Sequence, residues 1–223
     1  MILLVRRYCN ETRFDCWKNK KRVDSREIPA KRLLAFAERT ACGRADEWGV
    51  QMKRGLIVGR FQPYHIGHHN AIRKILAKVD ELIIVIGSAK QSHEQKNPFT
   101  AGERIEMISQ ALKEEGIFEK CYIIPVEDVQ ENSIWTTKII TYCPKFDVVF
   151  TNNPLVKQLF EGARFKTEKM VSEQKDIDGA KIREMMLKGN EWKKLVPKQT
   201  VAYLDKIKAL DRIRAVYAKE QKE

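Results

Sequence analysis

Two histidines and an arginine lie close together after a short apolar run. His65 and His68 are three residues apart, so on a helix they share a face and both imidazoles can point at one anion. Arg60 adds a permanent positive charge, and Gly67 between the histidines leaves room for a phosphate chain. Ordinary surface histidines or zinc ligands are the competing explanation. Because two of the four histidines in the chain occupy one glycine-containing turn, we favour polyphosphate binding.

The elements that position this turn can be predicted from the hydrophobic pattern. Leu56–Val58 is an apolar run typical of a buried parallel strand. Gly59 ends it and allows the backbone to approach a ligand closely. Pro63 disfavours a helix just before it, and apolar residues at spacings of three and four predict a helix over Ile66–Lys78. The free N–H groups and the dipole at the start of that helix suit a phosphate.

Strands and helices alternate along the remaining chain. Further apolar runs predict strands at Leu82–Gly87, Cys121–Val126, Phe146–Phe150 and Arg164–Val171. Helix-capping signals precede the helices, namely Thr100 with Glu103, Asn132 as N-cap of Ser133–Tyr142, Asn153 before Pro154, and Asp178. This order predicts an α/β fold, a doubly wound parallel sheet of the Rossmann-like kind with C-terminal helices. The first strand should be central, with the ligand at its carboxyl edge.

Other side chains near that edge have two interpretations each. Arg104 lies in a first helical turn, where an anionic ligand would offset its unfavourable interaction with the dipole; a surface arginine paired with a glutamate is equally supported. Trp135 could stack on a flat cationic heterocycle, although a core tryptophan is the commoner case. Asn152 and Asn153 could hydrogen-bond a nucleoside, or Asn153 could serve only as a helix cap.

Composition narrows the class of protein. The 223 residues, 43% of them hydrophobic, suffice for one α/β domain. No apolar run reaches the ~18–20 residues of a membrane helix, and five scattered cysteines form no CxxC pair, which is typical of a reducing compartment. We therefore expect a cytoplasmic protein with no membrane partner and no metal site. The net charge of +12 suits nucleotides. Without a nucleic-acid-binding motif, we expect no nucleic-acid partner.

The first 51 residues differ from the rest of the chain. They hold three of the five cysteines and many basic residues without a clear strand, and Ile28–Arg39 could form a short amphipathic helix. Residues 1–51 are therefore predicted to be a basic N-terminal extension of unknown role, and residues 52–223 the catalytic domain with its C-terminal helices. The extension is either a genuine appendage or an artefact of the assigned gene start, with Met52 as the natural first residue. We favour the second interpretation.

The stretch Gly59–His68, which reads GRFQPYHIGH, resembles the HxGH signature of the nucleotidyltransferase superfamily. Its longer form, together with the segments Phe99–Arg104 and Asn153–Val156, resembles archaeal-type nicotinamide mononucleotide adenylyltransferases. The resemblance covers about residues 52–215. It departs at 178–183, where Asp178 and Ala180 replace a serine and a threonine of the family. Each lost hydroxyl removes a phosphate contact worth roughly 1 kcal/mol.

The resemblance implies a reaction. AMP passes from ATP to nicotinamide mononucleotide (NMN), giving NAD and pyrophosphate, by direct attack of the NMN phosphate on the α-phosphorus. Mg²⁺ would be carried with ATP rather than held by a carboxylate site. The implied catalytic residues are His65, His68, Arg60 and Arg183. The implied nucleotide-binding residues are Gly59, Phe61, Gln62, Gly67, Arg104, Asn132, Trp135, Asn152, Asn153, Gly179 and Ile182. The resemblance also implies a homo-oligomer such as a hexamer.

Two alternative functions stay open. A sister transferase would use the same chemistry on another phosphate acceptor, such as phosphopantetheine or a flavin or glycerol phosphate. The pair Asn132 and Trp135 favours nicotinamide over these acceptors, because the family places these residue types at its nicotinamide end. A non-catalytic nucleotide-sensing module would explain Asp178 and Ala180, but the intact HxGH sequence favours catalysis.

Overall fold

The computed structural model describes residues 52–129, 131–170, 177–189 and 191–220. Contacts divide the chain into two units, Met1–Gly49 and Val50–Glu223, and every element below belongs to the second. The basic extension and the helix predicted over Ile28–Arg39 lie outside the described residues. No helix in the described part is long and apolar enough to span a bilayer.

A five-stranded parallel sheet forms the centre of the second unit. Its strands are β1 (Arg54–Gly59), β2 (Glu81–Ile86), β3 (Cys121–Pro125), β4 (Val148–Phe150) and β5 (Lys166–Glu168). They lie in the order β3-β2-β1-β4-β5, with every neighbouring pair parallel. The doubly wound sheet with a central first strand is therefore confirmed. The strand order reverses between β1 and β4, and α/β sheets bind ligands at such a point.

Helices cover both faces of the sheet. They are α1 (Ile66–Leu76), α2 (Ala101–Glu114), α3 (Asn132–Tyr142), α4 (Pro154–Gly162), α5 (Gly179–Lys188), α6 (Lys198–Lys206) and α7 (Ala209–Glu220), with short 3-10 turns at Phe118–Lys120 and Glu191–Leu195. The capping box predicted at Thr100 and Glu103 is present. Asn153 caps α4 ahead of Pro154, also as predicted.

Alternation along the strands divides the core in two. Ile57, Ile84 and Phe150 face a larger cluster with side chains from α1, α2, α5, α6 and α7. Leu56 and Val149 face a smaller cluster with side chains from α3 and α4. Because successive side chains of a strand point to opposite faces, the two clusters lie on opposite sides of one sheet. Burial on both faces explains why these strands are apolar runs without polar alternation.

Several predicted boundaries were wrong. The strand predicted over Phe146–Phe150 begins at Val148. The helix predicted to reach Lys78 ends at Leu76. The fifth strand is only Lys166–Glu168, because Arg164 has a φ of 65° and cannot continue an extended strand. Asn132 is the first residue of α3, and the preceding Glu131 holds the N-cap position without a side-chain hydrogen bond.

Candidate active site

A cleft of about 630 Å³ opens where the carboxyl ends of β1, β4 and β5 meet the N-termini of α1 and α5. Its position is the switch point of the sheet. The predicted site residues that line it are Gly59, Phe61, His65, Gly67, His68, Asn152 and Gly179. Lys169 and Asp178 line it as well. The predicted residues that line the cleft come from three separate segments of the chain.

The two histidines form a stacked pair in this cleft. His65 is the N-cap of α1, and its Nδ1 accepts a hydrogen bond from the backbone N–H of His68 at 3.3 Å. The ring centroids of His65 and His68 lie 3.5 Å apart with 23° between the planes. Since Nδ1 of His65 is an acceptor, the proton of the neutral ring sits on Nε2. His65 is therefore built as a helix cap that keeps one N–H donor for a ligand.

Burial makes both histidines hard to protonate. It lowers the pKa of His65 from 6.5 to about 4, against the opposing effect of the Asp178 carboxylate. It lowers the pKa of His68 well below the ordinary value, and the neighbouring His65 adds to this. Both rings are neutral at pH 7 without a ligand, so they offer N–H donors rather than two positive charges.

Close packing explains two of the glycines. A Cβ at Gly67 would lie 3.0 Å from the His65 ring. The space we assigned to a phosphate chain is therefore the space that the His65 imidazole needs. A Cβ at Gly179 would lie 2.7 Å from the carbonyl oxygen of Gln62, closer than real contacts allow. Glycine at this position lets the start of α5 approach the turn that follows β1.

Gln62 joins two loops instead of facing the cleft. Its Nε2 donates to the Phe99 carbonyl at 2.9 Å, and its Oε1 accepts from the Phe99 N–H at 3.0 Å. The side chain is buried. The side-chain amide thus makes both hydrogen bonds with one residue, as a neighbouring strand would. These bonds hold the turn after β1 against the start of α2. A nucleotide contact by this side chain stays a prediction.

Arg104 is fully buried and is surrounded by carbonyl oxygens. Its guanidinium donates to the carbonyls of Thr100, Arg60, Gly87, Ser88 and Ala89 at 2.8–3.4 Å. Burial lowers its pKa to about 10, so it stays charged at neutral pH. In this structure Arg104 holds the loops after β1 and β2 on the start of α2. The phosphate contact implied by the resemblance stays a prediction.

Arg183 plays a similar part at α5. Its guanidinium donates to the carbonyls of Gln62 at 2.7 Å and Gln95 at 3.1 Å. Burial lowers its pKa, and a hydrogen bond with Tyr217 opposes that shift. The neighbouring Ile182 is a core residue without exposed side chain. The segment 178–183 therefore joins the start of α5 to the turn that follows β1. Asp178 caps the helix by accepting a hydrogen bond from the Lys181 N–H at 2.8 Å.

Two cationic side chains follow strands β1 and β5, and one of them lines the cleft. Arg60 is exposed and has no ion-pair partner within the described ranges. Lys169 follows β5 and lines the cleft; sequence reasoning missed it because the predicted strand ran through to Val171. Had the end of the strand been predicted correctly, a lysine directly after it would have indicated a cation at the ligand-binding edge of the sheet. The described ranges hold no group of three or more His, Cys, Asp or Glu that could bind a metal ion.

The residues predicted for the nicotinamide end lie outside the cleft lining. Asn132 is exposed at the start of α3. Trp135 is half-buried, and its ring meets Phe160 edge-on, with 5.9 Å between centroids and 71° between planes. Asn153 uses its side-chain oxygen to cap α4, accepting from the N–H groups of Leu155 and Val156. The structure therefore brings His65 and His68 together with Asn152 and Gly179 in one cleft, whereas the side chains predicted on α3 do not line it.

This fold, with paired histidines at the helix after its central strand, is that of a nucleotidyltransferase. The sequence model of the cytidylyltransferase-like family matches residues 56–215, and the chain belongs to that family. Relatives that resemble it over most of its length are nicotinamide-nucleotide adenylyltransferases.

Individual matches are close and nearly complete. The chain is 47% identical over 173 residues to the nicotinamide-nucleotide adenylyltransferase of Archaeoglobus fulgidus, covering 75% of this chain and 99% of the relative. It is 46% identical over 166 residues to that of Methanolobus tindarius, covering 74% and 95%. The match to that of Pyrococcus horikoshii is 48% over 164 residues, covering 73% and 88%.

A solved structure supports the fold independently. The bifunctional NMN adenylyltransferase/ADP ribose pyrophosphatase of Francisella tularensis, crystallised with AMP and a manganese ion, superposes with a TM-score of 0.64 at 21% identity. The match covers 77% of this chain and 53% of that protein, so the chain spans about half its length. At this identity the likeness establishes the Rossmann-like fold alone.

Proposed function

We propose that the protein transfers AMP from ATP to NMN and so makes NAD and pyrophosphate. The observation that carries the proposal is the stacked pair of neutral histidines at the N-terminus of α1, beside the central strand. Relatives named nicotinamide-nucleotide adenylyltransferase match the chain over nearly their whole length. The reaction class agrees with what the site offers, which is positioning and hydrogen-bond donation.

The chemistry needs no general base. The NMN phosphate is ionised at neutral pH, and one of its oxygens forms a bond to the α-phosphorus of ATP. The bond from that phosphorus to the bridging oxygen of the β-phosphate breaks, and the electron pair leaves with pyrophosphate. The protein has to hold two polyanions in line and offset their repulsion. Mg²⁺ bound to the triphosphate would neutralise part of this charge.

Each element of the cleft has a role in this proposal. The Nε2–H of His65 and the ring N–H of His68 donate to the triphosphate and to the charge that develops on the bridging oxygen. The N–H groups at the start of α1 add to this field. Lys169, which lines the cleft, and Arg60, which is exposed after β1, attract the phosphates. Arg104, Gln62 and Arg183 act indirectly, because they fix the loops that carry these donors.

In this proposal, residues of α3 and of the segment after β4 bind NMN, the acceptor of the AMP group. Trp135 would stack on the nicotinamide ring, with Asn132 and Asn152 hydrogen-bonding the nucleotide. The half-exposed position of Trp135 supports this, since a fully enclosed ring could not reach a ligand.

We also propose a cytoplasmic homo-oligomer. Apolar side chains exposed on α3 and α4 support self-association, namely Ile134, Ile140, Tyr142 and Leu155.

The test is pyrophosphate release from ATP and Mg²⁺ with a panel of acceptors. The panel contains NMN, nicotinic acid mononucleotide, phosphopantetheine, glycerol phosphate and riboflavin phosphate. The proposal expects fastest turnover with NMN and a product with the ultraviolet spectrum of NAD. Turnover of a non-pyridine acceptor alone would keep the chemistry and overturn the assignment of the acceptor. Binding of ATP without turnover of any acceptor would favour the nucleotide-sensing module.

A further inference from the structure

A hydrogen-bonded chain leads from the turn that carries His65 to the C-terminal end of α2. The hydroxyl of Tyr64 lies 2.9 Å from Nδ1 of His69. Nε2 of His69 lies 2.9 Å from a carboxylate oxygen of Glu115, which follows the last residue of α2. Tyr64 is fully buried and His69 is 9% exposed. The polar groups of the two buried residues thus face each other and one carboxylate.

The direction of the chain follows from the chemistry of its members. A carboxylate only accepts, so Nε2 of His69 carries the proton and donates to Glu115. In the neutral ring Nδ1 is then an acceptor, and the Tyr64 hydroxyl donates to it. Burial raises the pKa of Tyr64 well above 10, so the hydroxyl keeps its proton. Glu115 therefore selects the His69 tautomer, and that tautomer fixes the Tyr64 hydroxyl.

The Tyr64 ring faces the catalytic histidine. Its plane lies 14° from the plane of His68, with 5.9 Å between the centroids. Phe61 meets His68 edge-on at 4.7 Å, and His65 stacks on it at 3.5 Å. Nδ1 of His68 is buried and has no hydrogen-bond partner within the described ranges. Ring packing, rather than a hydrogen bond to the ring, therefore sets the orientation of His68.

We propose that Tyr64, His69 and Glu115 are positioning residues for the adenylyl transfer, because the hydrogen-bonded chain holds the Tyr64 ring against His68. This inference rests on the proposed function. A catalytic histidine is commonly oriented by a carboxylate bonded directly to its ring. Here the carboxylate acts two residues away, through a second histidine and a tyrosine ring. None of the three contacts the substrate in this scheme.

Conservative variants separate positioning from folding. Tyr64→Phe keeps the ring and removes the hydroxyl, and Glu115→Leu removes the acceptor at the other end. Each should lower kcat about tenfold with the KM values for ATP and NMN within about twofold. Glu115→Gln, unlike Glu115→Leu, should keep the wild-type kcat, since its amide oxygen can still accept a hydrogen bond from His69. The double variant Tyr64→Phe/Glu115→Leu should lose about tenfold rather than about a hundredfold, because both changes break the same chain.

A matched control uses the other partner of the carboxylate. Arg73 lies 3.5 Å from Glu115 and is exposed. Arg73→Gln removes this ion pair and leaves the bond to His69, so it should leave kcat unchanged. Losses that multiply in the double variant, or full activity in both single variants, would overturn the inference.

A second readout does not depend on activity. The ring ¹⁵N resonances of His68 should shift or broaden in Tyr64→Phe and Glu115→Leu and stay as in the wild type in Glu115→Gln and Arg73→Gln. Unchanged His68 resonances in the first two variants would overturn the inference. A wild-type protein that makes no NAD would contradict the proposed function, and these resonances would still decide whether the chain positions His68.

Discussion

The imidazoles of His65 and His68 stack with their centroids 3.5 Å apart. Two protonated rings could not occupy this arrangement at low cost, since like charges repel and removal from water disfavours the charged form of each ring. The pair is therefore neutral in the free protein, with the pKa of His65 lowered to about 4. In the proposed reaction, neutral rings would donate N–H groups to the triphosphate instead of forming ion pairs with it. The stability of the protein should depend on pH for the same reason.

Acid should destabilise the protein through this pair. Unfolding returns the pKa of His65 from about 4 to 6.5, so the unfolded chain binds more protons in that interval. The contribution of His65 to the free energy of unfolding is therefore fully present above pH 6.5 and is lost as the pH drops towards 4. The loss is about 3 kcal/mol at most for this residue. His65→Asn keeps a helix cap but does not titrate. In urea titrations across this range, the variant should show a flatter pH dependence than the wild type.

The control is His93→Asn, which changes an exposed histidine with a φ of 59° that asparagine tolerates. Its pH dependence should match the wild type. An unchanged slope in His65→Asn would contradict a neutral buried pair.

Arg104 should contribute to stability before any ligand binds. Its guanidinium donates to carbonyls of three separate segments, and a lysine ammonium cannot reach them together. Arg104→Lys should lower the free energy of unfolding of the ligand-free protein by roughly 2–4 kcal/mol. Urea denaturation measures this, with the exposed Arg214→Lys as control. A ligand-free stability equal to the wild type, combined with a raised KM for ATP, would instead support a direct phosphate contact.

Asp178 should weaken ATP binding relative to a serine. Its carboxylate caps α5 and lies at the cleft, near enough to His65 to raise the pKa of that ring. Asp178→Ser keeps the cap, removes the negative charge and adds a hydroxyl. It should tighten ATP binding about three- to tenfold in calorimetric titrations. Asp178→Asn separates the two effects, since it removes the charge without adding a hydroxyl. If neither variant tightens binding, the carboxylate has no influence on the triphosphate.

Trp135 should matter more for NMN than for ATP. Trp135→Ala should raise the KM for NMN severalfold while the KM for ATP changes little, because the ring would stack on nicotinamide. The substitution also removes packing against Phe160, at a cost of about 3 kcal/mol. Trp135→Phe keeps part of that packing, and Ile134→Ala tests a neighbouring exposed position. Equal effects on both substrates would return Trp135 to a packing role.

The fold could be predicted because its signals are local. Apolar runs such as Leu82–Gly87 identify buried strands, and the Thr100–Glu103 capping box identifies the start of α2. The start of the fifth strand was predicted too early because it depends on the left-handed backbone of Arg164. The sequence does not mark that conformation with a glycine or an asparagine.

The placement of candidate site residues was predictable where they are close in sequence. His65 and His68 belong to one turn, and their spacing predicted that the two imidazoles share a face. Arg104 differs, because its carbonyl partners at Arg60 and Gly87 lie 44 and 17 residues away. A charge in a sequence does not reveal whether it faces a ligand or buried backbone. Gln62 likewise bonds to backbone far away in the sequence, at Phe99.

The most direct test of the account compares NAD formation by the wild type and His68→Ala. With ATP, Mg²⁺ and NMN, the wild type should form NAD. His68→Ala should be slower on the order of 10²–10³-fold, since one donor to the developing charge is lost. Its thermal unfolding should stay close to that of the wild type, and the exposed control His93→Asn should keep full activity. Turnover by His68→Ala near the wild-type rate would remove the histidine pair from the mechanism and contradict the account.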